Sequence, residues 1–255
     1  MKKVYLIIQA RMGSTRLPGK VMMDICGKPL LAWIIERMKE TVLTDRIIVA
    51  TTKKDQDEVI IDLAKRYDVD VFRGDERDVL GRFYEAASFF MKKDKIEEDN
   101  LVIVRVCADN PLVDPWEVDR IIGFFLKSGY EYVFNHIPAF DNGYPNGLGV
   151  EVFGFKILKE LWFKAKEESH REHVTKYIWD NPNSFSIGIL KAPPSIYEPS
   201  LELDVDTQKD LDWIKKVYSR LIELYGNKCF NAVEIIDAAR FLSKNFLSID
   251  GVLKY

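Results

Sequence analysis

The sequence has little cysteine, no long apolar run and almost no net charge, and each shortage removes a class of protein. Its three cysteines, Cys26, Cys107 and Cys229, are odd in number and far apart, so they form neither a disulfide framework nor a Cys-x-x-Cys metal site. The three histidines, His136, His170 and His173, share no ligand spacing with them, which leaves no zinc site. The longest apolar runs, such as Ile121-Ile122 with Phe124-Phe125-Leu126, fall far short of the roughly 20 residues that cross a bilayer. No membrane insertion is expected. The basic start at Lys2-Lys3 reaches Gln9 and Arg11 too soon for a secretory signal, and a cytoplasmic protein is expected. With 37 Lys+Arg against 40 Asp+Glu, a formal charge of −3, bulk electrostatics does not draw the chain onto a nucleic-acid backbone. Internal repeats and Gly/Ser-rich linkers are also missing, so one domain over 1–255 is expected.

What is present is a chain of 255 residues, 47% hydrophobic, long enough to bury a core without cross-links. Strand-like runs rich in Val, Ile, Phe and Tyr alternate with segments of helical period. The pattern predicts strands over 4–9, 46–51, 69–72 and 101–106, and helices over 29–40, 55–67 and 78–91. The second helix has Val59, Ile60, Leu63 and Ala64 on one face; the third has Val79, Leu80, Phe83, Ala87 and Phe90 inward. This is the βαβαβαβ start of a doubly wound sheet. Asp114-Pro115 opens a further helix to about 127, with Asp114 as its N-cap. Beyond it, predicted strands at 132–135, 149–155, 184–190 and 201–205 are separated by Pro- and Gly-containing loops, a texture of mixed rather than all-parallel pairing. Arg171-Glu172-His173 opens a helix ending near Trp179, and helices over 208–225 and 231–245 close the chain.

The segment after the first strand, Gln9-Ala10-Arg11-Met12-Gly13-Ser14-Thr15-Arg16-Leu17-Pro18-Gly19-Lys20, is the most informative. It sets three cations, a hydroxyl pair and two glycines at the carboxyl end of a strand, where open α/β sheets bind ligands. Glycine lets a backbone approach oxygens, arginine engages two of them, and lysine neutralises as a point charge, so the loop suits a polyphosphate. A solvated basic loop would have the same charge. Val21 stands where a Walker A loop needs Ser or Thr, and Gly-x-Gly-x-x-Gly is missing.

Residues 10–20, followed by Gly27-Lys28-Pro29-Leu30, resemble the signature of the cytidylyltransferases that activate sugar acids. That group includes the acylneuraminate and 3-deoxy-manno-octulosonate cytidylyltransferases, and the closest likeness is to the spore coat polysaccharide biosynthesis protein F branch. The resemblance extends, in order, to Gly74-Asp75 with Asp78-Val79-Leu80 and Arg82, and to residues 105–115, 147–153, 171–175 and 203–211. It spans most of the chain, and its motifs are specific for the superfamily and much less so for the substrate. It implies a nucleotide-diphospho-sugar transferase fold, an α/β class three-layer α/β/α sandwich with a mostly parallel mixed sheet. Residues 1–115 would be the nucleotide-binding half, and 116–255 the acceptor-binding half with the closing helices. The implied reaction is CMP transfer from CTP to a small acidic sugar, with release of pyrophosphate, in surface-polysaccharide biosynthesis.

The same resemblance assigns roles. Ala10, Arg11, Gly13, Ser14, Arg16, Lys20, Arg82 and Asp109 would bind CTP, with Arg11, Lys20, Asp109 and Asp206 in the catalytic set. Asp109 and Asp206 match the positions that hold Mg2+, a hard cation that takes one or two carboxylates plus phosphates and water. Both follow predicted strands, so they can meet at one sheet edge, with Asp204 as a neighbour or an alternative ligand; each is equally a turn former or helix cap taken singly. Glu151, Arg171 and His173 would bind the acceptor, Arg171 as partner to a carboxylate. Arg82 has a solvated-helix alternative, and His173 a packing one. The apolar face Ala232, Ile235, Ile236, Ala239 and Leu242 reads as core cover or as the contact of a homodimer, to which the resemblance inclines. Two other readings stay open: a nucleotidyltransferase of this fold using another nucleotide or a phosphorylated acceptor, and a noncatalytic nucleotide-binding partner.

Overall fold

From β1 (Lys3–Gln9) the chain passes through the basic loop and a small hairpin, β2 (Asp24–Ile25) and β3 (Lys28–Pro29), into α1 (Leu30–Met38). The alternation continues with β4 (Arg46–Thr52), α2 (Glu58–Arg66), β5 (Asp70–Gly74), α3 (Val79–Lys93), β6 (Leu101–Cys107) and α4 (Pro115–Ser128). The second half holds β7 (Tyr132–Phe134), β8 (Glu151–Gly154), α5 (Phe155–Lys164), α6 (Glu168–Glu172), α7 (Lys176–Asp180), β9 (Ile187–Ile189), α8 (Gln208–Tyr225) and α9 (Ala232–Asp250). This computed structural model describes residues 1–135 and 142–250, so His136 lies outside the described residues.

Seven strands form one sheet in the order β5-β4-β1-β6-β8-β7-β9. The first four are parallel, and β8 runs antiparallel to both β6 and β7. Parallel strands buried on both faces need apolar residues at every position. In β1, Val4, Leu6 and Ile8 enter one core while Tyr5 and Ile7 enter the other. The first core is closed by α1, α2, α4, α8 and α9, the second by α3, α5 and α7, which makes three layers. Strand order reverses between β1 and β6, so their carboxyl ends diverge into a crevice. Among the described residues no helix is long and apolar enough to cross a membrane.

Several expected boundaries move. Val59 is 43% exposed, because a short turn at Asp55–Asp57 precedes α2 and rotates its buried face to Ile60, Ile61, Leu63 and Ala64. Residues 201–205 are not a strand: they make one isolated bridge, Asn146 to Glu202, while Leu203 and Val205 point into the core. The strand expected over 149–155 stops at Gly154, and Phe155 begins α5; the one expected over 184–190 shortens to β9 after a turn at Pro182–Ser184. The helix expected from Arg171 is split, because His173 adopts an extended conformation between α6 and α7. Asp114 does cap α4, accepting from the N–H groups of Trp116 and Glu117. The face of α9 carrying Ala232, Ile235, Ile236 and Ala239 is buried against this chain's own core, with Leu242 packed beside it. It is core cover, and a homodimer would have to use another surface.

Candidate active site

The basic loop is anchored from beneath by a residue that the sequence reading missed. Asp57, fully buried, accepts Met12 N–H at 2.9 Å through one oxygen, and Thr51 Oγ1 at 3.1 Å and Thr52 N–H at 3.2 Å through the other. Its only sequence signal was an ordinary acidic residue before a helix. Met12 O then accepts the N–H groups of Ser14 (3.0 Å) and Gly19 (2.8 Å), which curls the loop; Gly19 has φ +74°, a left-handed conformation that favours glycine.

The curl delivers Lys20 to the two strand-end carboxylates. Its ammonium, on a side chain only 11% exposed, donates to Asp109 Oδ2 (3.2 Å), Asp206 Oδ1 (3.1 Å) and Val205 O (2.6 Å). Arg16 reaches Asp206 Oδ2 at 2.7 Å. Val205 N–H donates to Asp109 O at 2.8 Å, fastening the irregular 201–206 segment to the end of β6. Asp204 accepts from Asn146 Nδ2 at 3.0 Å, and burial, then Asp206 and Asp109, push its carboxyl up to about 6.

Arg16, Lys20 and Asp109 line a cleft of about 260 Å³ that also includes Ala10, Arg11, Ser14, Arg82, Arg105, Cys107, Glu172 and His173, and Asp206 is joined to it by its ion pairs with Arg16 and Lys20. Arg11 donates to Glu76 O at 3.1 Å and pairs with Glu172 at 3.6 Å. Gly13 lies against Glu76, where a Cβ would come within 2.8 Å of its carboxylate. Arg82 is 2% exposed and donates to Asp75 O at 2.7 Å, while its Nε is buried without a partner among the described residues. Burial first, and Arg11 second, lower its pKa to about 10. Cys107 lies in the cleft wall, and burial pushes its thiol up to about 12, so it is not poised as a nucleophile.

The predicted acceptor residues separate. Glu151 is 1% exposed and does not line the cleft; it pairs with Arg105 and accepts the hydroxyls of Tyr132 and Thr175. Burial, followed by Glu151, raises the Tyr132 hydroxyl well above its usual value, which keeps it a donor. Burial opposes the Arg105 cation, yet the ion pair with Glu151 favours it, and its pKa is raised. Arg171 is also outside the cleft lining, bound to Asp78 at the α3 N-cap and to Trp162 O at 2.9 Å. His173 is at the cleft, whereas His170 is buried against Asp180 (2.7 Å) and Tyr177. The sequence reading gave Arg105 no role, although an arginine inside the apolar run of β6 was its visible signal.

A curled cationic loop facing carboxylates at the carboxyl ends of a doubly wound sheet offers the positioning and charge neutralisation that phosphoryl transfer needs. The chain belongs to the cytidylyltransferase family, whose sequence model matches residues 5–235, and it is a CTP-dependent nucleotidyltransferase. It is 38% identical over 243 residues to an uncharacterized protein of Methanocaldococcus jannaschii, covering 95% of this chain and 91% of the other. It is 32% identical over 227 residues to the spore coat polysaccharide biosynthesis protein SpsF of Bacillus subtilis, covering 86% and 88%. Among solved structures, a cytidylyltransferase from Leptospira borgpetersenii serovar Hardjo-bovis is similar with a TM-score of 0.83 at 28% identity, over 96% of each chain.

Proposed function

We propose that this cytidylyltransferase transfers CMP from CTP to an acidic sugar of the nonulosonate type, with release of pyrophosphate, in surface-polysaccharide biosynthesis. The observation that carries this reading is the cleft lined by Arg11, Arg16, Lys20, Asp109, Arg105 and His173, at which Lys20 pairs with both Asp109 and Asp206 and Arg16 pairs with Asp206. The similarity to SpsF supports the pathway.

In this reading a sugar hydroxyl attacks the α-phosphorus, the bond to pyrophosphate breaks in line, and the hydroxyl proton leaves to water. Such chemistry depends on positioning and charge neutralisation and needs no covalent nucleophile. Arg11, Arg16 and Lys20 hold the phosphate oxygens and the leaving pyrophosphate, while the backbone of Ala10 and the Ser14 hydroxyl border them. Arg82 lies on the base and ribose side.

Mg2+ is the proposed cofactor, held by Asp109 and Asp206. The donors suit it: both are hard oxygens, and they already share one cation in Lys20. That set suits an ion completed by phosphate and water rather than a protein cage. When bound, the ion would neutralise charge developing on the phosphate oxygens.

Pyrophosphate release measured with four nucleoside triphosphates against a panel of sugar acids, neutral sugars and sugar phosphates tests the reading. CTP with a carboxylated sugar is the expected pair. Turnover confined to a phosphorylated or neutral acceptor would overturn it.

A further inference from the structure

We infer that Arg105 receives the carboxylate of the acceptor and that Glu151 is the residue that positions it. This deepens the acidic-sugar reading and rests on it. Among the described residues five arginine and lysine side chains line the cleft, and three of them are engaged by acidic side chains or a carbonyl around the basic loop. Lys20 and Arg16 sit on the aspartate pair, and Arg11 sits between Glu76 O and Glu172. Arg82 is buried at the start of α3, beside Asp75, on the side of the parallel strands.

Arg105 lies on β6, the strand where the parallel half of the sheet meets the antiparallel half. It is two residues before Cys107 and therefore on the same face, and both line the cleft with Asp109. Its register partner across β6 and β8 is Glu151.

The hydrogen bonds around this pair divide the labour. Glu151 accepts from Arg105 Nη1 through Oε2 and from the hydroxyls of Tyr132 and Thr175 through Oε1, and it is sealed from the cleft. A carboxylate this buried, with these donors among the described residues, holds a guanidinium in place and has almost no surface for a ligand. Arg105 is held at Nη1 by Glu151 and at Nε by Gln9 Oε1 (3.3 Å), while Nη2 makes no hydrogen bond among the described residues. A guanidinium fixed on two edges, with donors left over in a cleft wall, is preorganised for an anionic oxygen. Glu151 would therefore affect the acceptor through Arg105 and not by contact.

The test compares acid and amide acceptors. Pyrophosphate release at saturating CTP is measured with 3-deoxy-manno-octulosonate and N-acetylneuraminate, each beside its carboxamide, a neutral analogue of similar shape. The variants are Glu151→Gln, Arg105→Lys, and Arg105→Met combined with Glu151→Gln, the last leaving no unpaired buried charge. The double variant is expected to lose about tenfold to a hundredfold in kcat/KM on the acid, as for a lost charge-assisted hydrogen bond. It should leave the CTP KM within about twofold and abolish the preference for acid over amide. Glu151→Gln alone should raise the acid's KM with a smaller change in kcat.

Equal losses on acid and amide, or an equal rise in the CTP KM, would mean that the pair only supports the fold and would overturn the inference. A wild-type enzyme that uses neither acid, or uses the amides as well, overturns the acidic-sugar reading and this inference with it. A wild-type preference for acid that survives in the variants overturns this inference alone. Should the double variant fail to fold, Arg105→Lys carries the same comparison. It keeps the charge but not the fork, so a reduced acid preference is expected and an unchanged one overturns the proposal.

Discussion

Replacing Lys20 tests the arrangement of the site most directly. Its ammonium is the shared partner of Asp109 and Asp206 and also caps Val205 O, on a side chain only 11% exposed. Lys20→Met keeps most of the apolar stem and removes the charge. Breaking a buried ion pair costs about 3–5 kcal/mol, but the two aspartates are 31% and 23% exposed and Arg16 still reaches Asp206, so we discount this to about 2 kcal/mol. At this chain length that is a fall of roughly 4–8 °C in melting temperature. The same ammonium is placed to meet phosphate oxygens, and losing one charge-assisted contact should weaken CTP by about tenfold to a hundredfold. Cytidine, which lacks phosphates, should bind almost unchanged. Mg2+ should raise the variant's melting temperature more than the wild type's, because the carboxylates have lost a cation. Calorimetry with CTP and cytidine, and thermal scans with and without Mg2+, give all three quantities. Equal weakening of the two ligands would refute a phosphate role, and a rise in melting temperature on removing the lysine would refute the charge argument.

Asp109→Asn and Asp206→Asn should each reduce turnover by about a hundredfold or more while the fold persists, and near-normal rates in either variant would remove that residue from the proposed Mg2+ site. Asp204 gives a pH signature. Its pKa is raised from 3.8 to about 6 by burial, Asp206 and Asp109, so the folded state prefers the protonated form. The resulting penalty is absent below about pH 4 and complete above about pH 6. Asp204→Asn should therefore stabilise by about 1 kcal/mol at pH 8, after allowance for partial exposure, and by almost nothing at pH 4; a gain independent of pH in thermal scans would contradict this. Arg171→Ala removes the contacts to Asp78 and Trp162 O and should cost about 1–2 kcal/mol of stability while leaving the acceptor KM unmoved; a selective rise in that KM would return Arg171 to the acceptor site.

The parallel half of the fold was legible in the sequence, because runs such as 4–8 and 101–104 are apolar at every position, rich in Val and Ile and too short for a buried helix, as a strand buried on both faces requires. The loop at 10–20 and the acidic positions at strand ends were legible for a related reason: turn chemistry and chain direction are local, and they put loops after β1 and β6 at one edge. Sequence period reports burial and does not name the partner. The alternation of Leu201, Leu203 and Val205 predicted a strand, yet the buried Leu203 and Val205 were satisfied by packing into the core, with a single bridge in place of a ladder. The apolar face of α9 read equally as core or as contact until the chain folded back over it. Charge pairing was the least readable feature, since an ion pair depends on distance in space. Lys20 meets Asp206 across 186 positions of sequence, Arg171 turns to Asp78 across 93, and Glu151 lies behind Arg105 because β8 pairs antiparallel with β6. Residue type announced which groups carry charge; only the tertiary structure decided which of them neutralise one another and which are left facing the cleft.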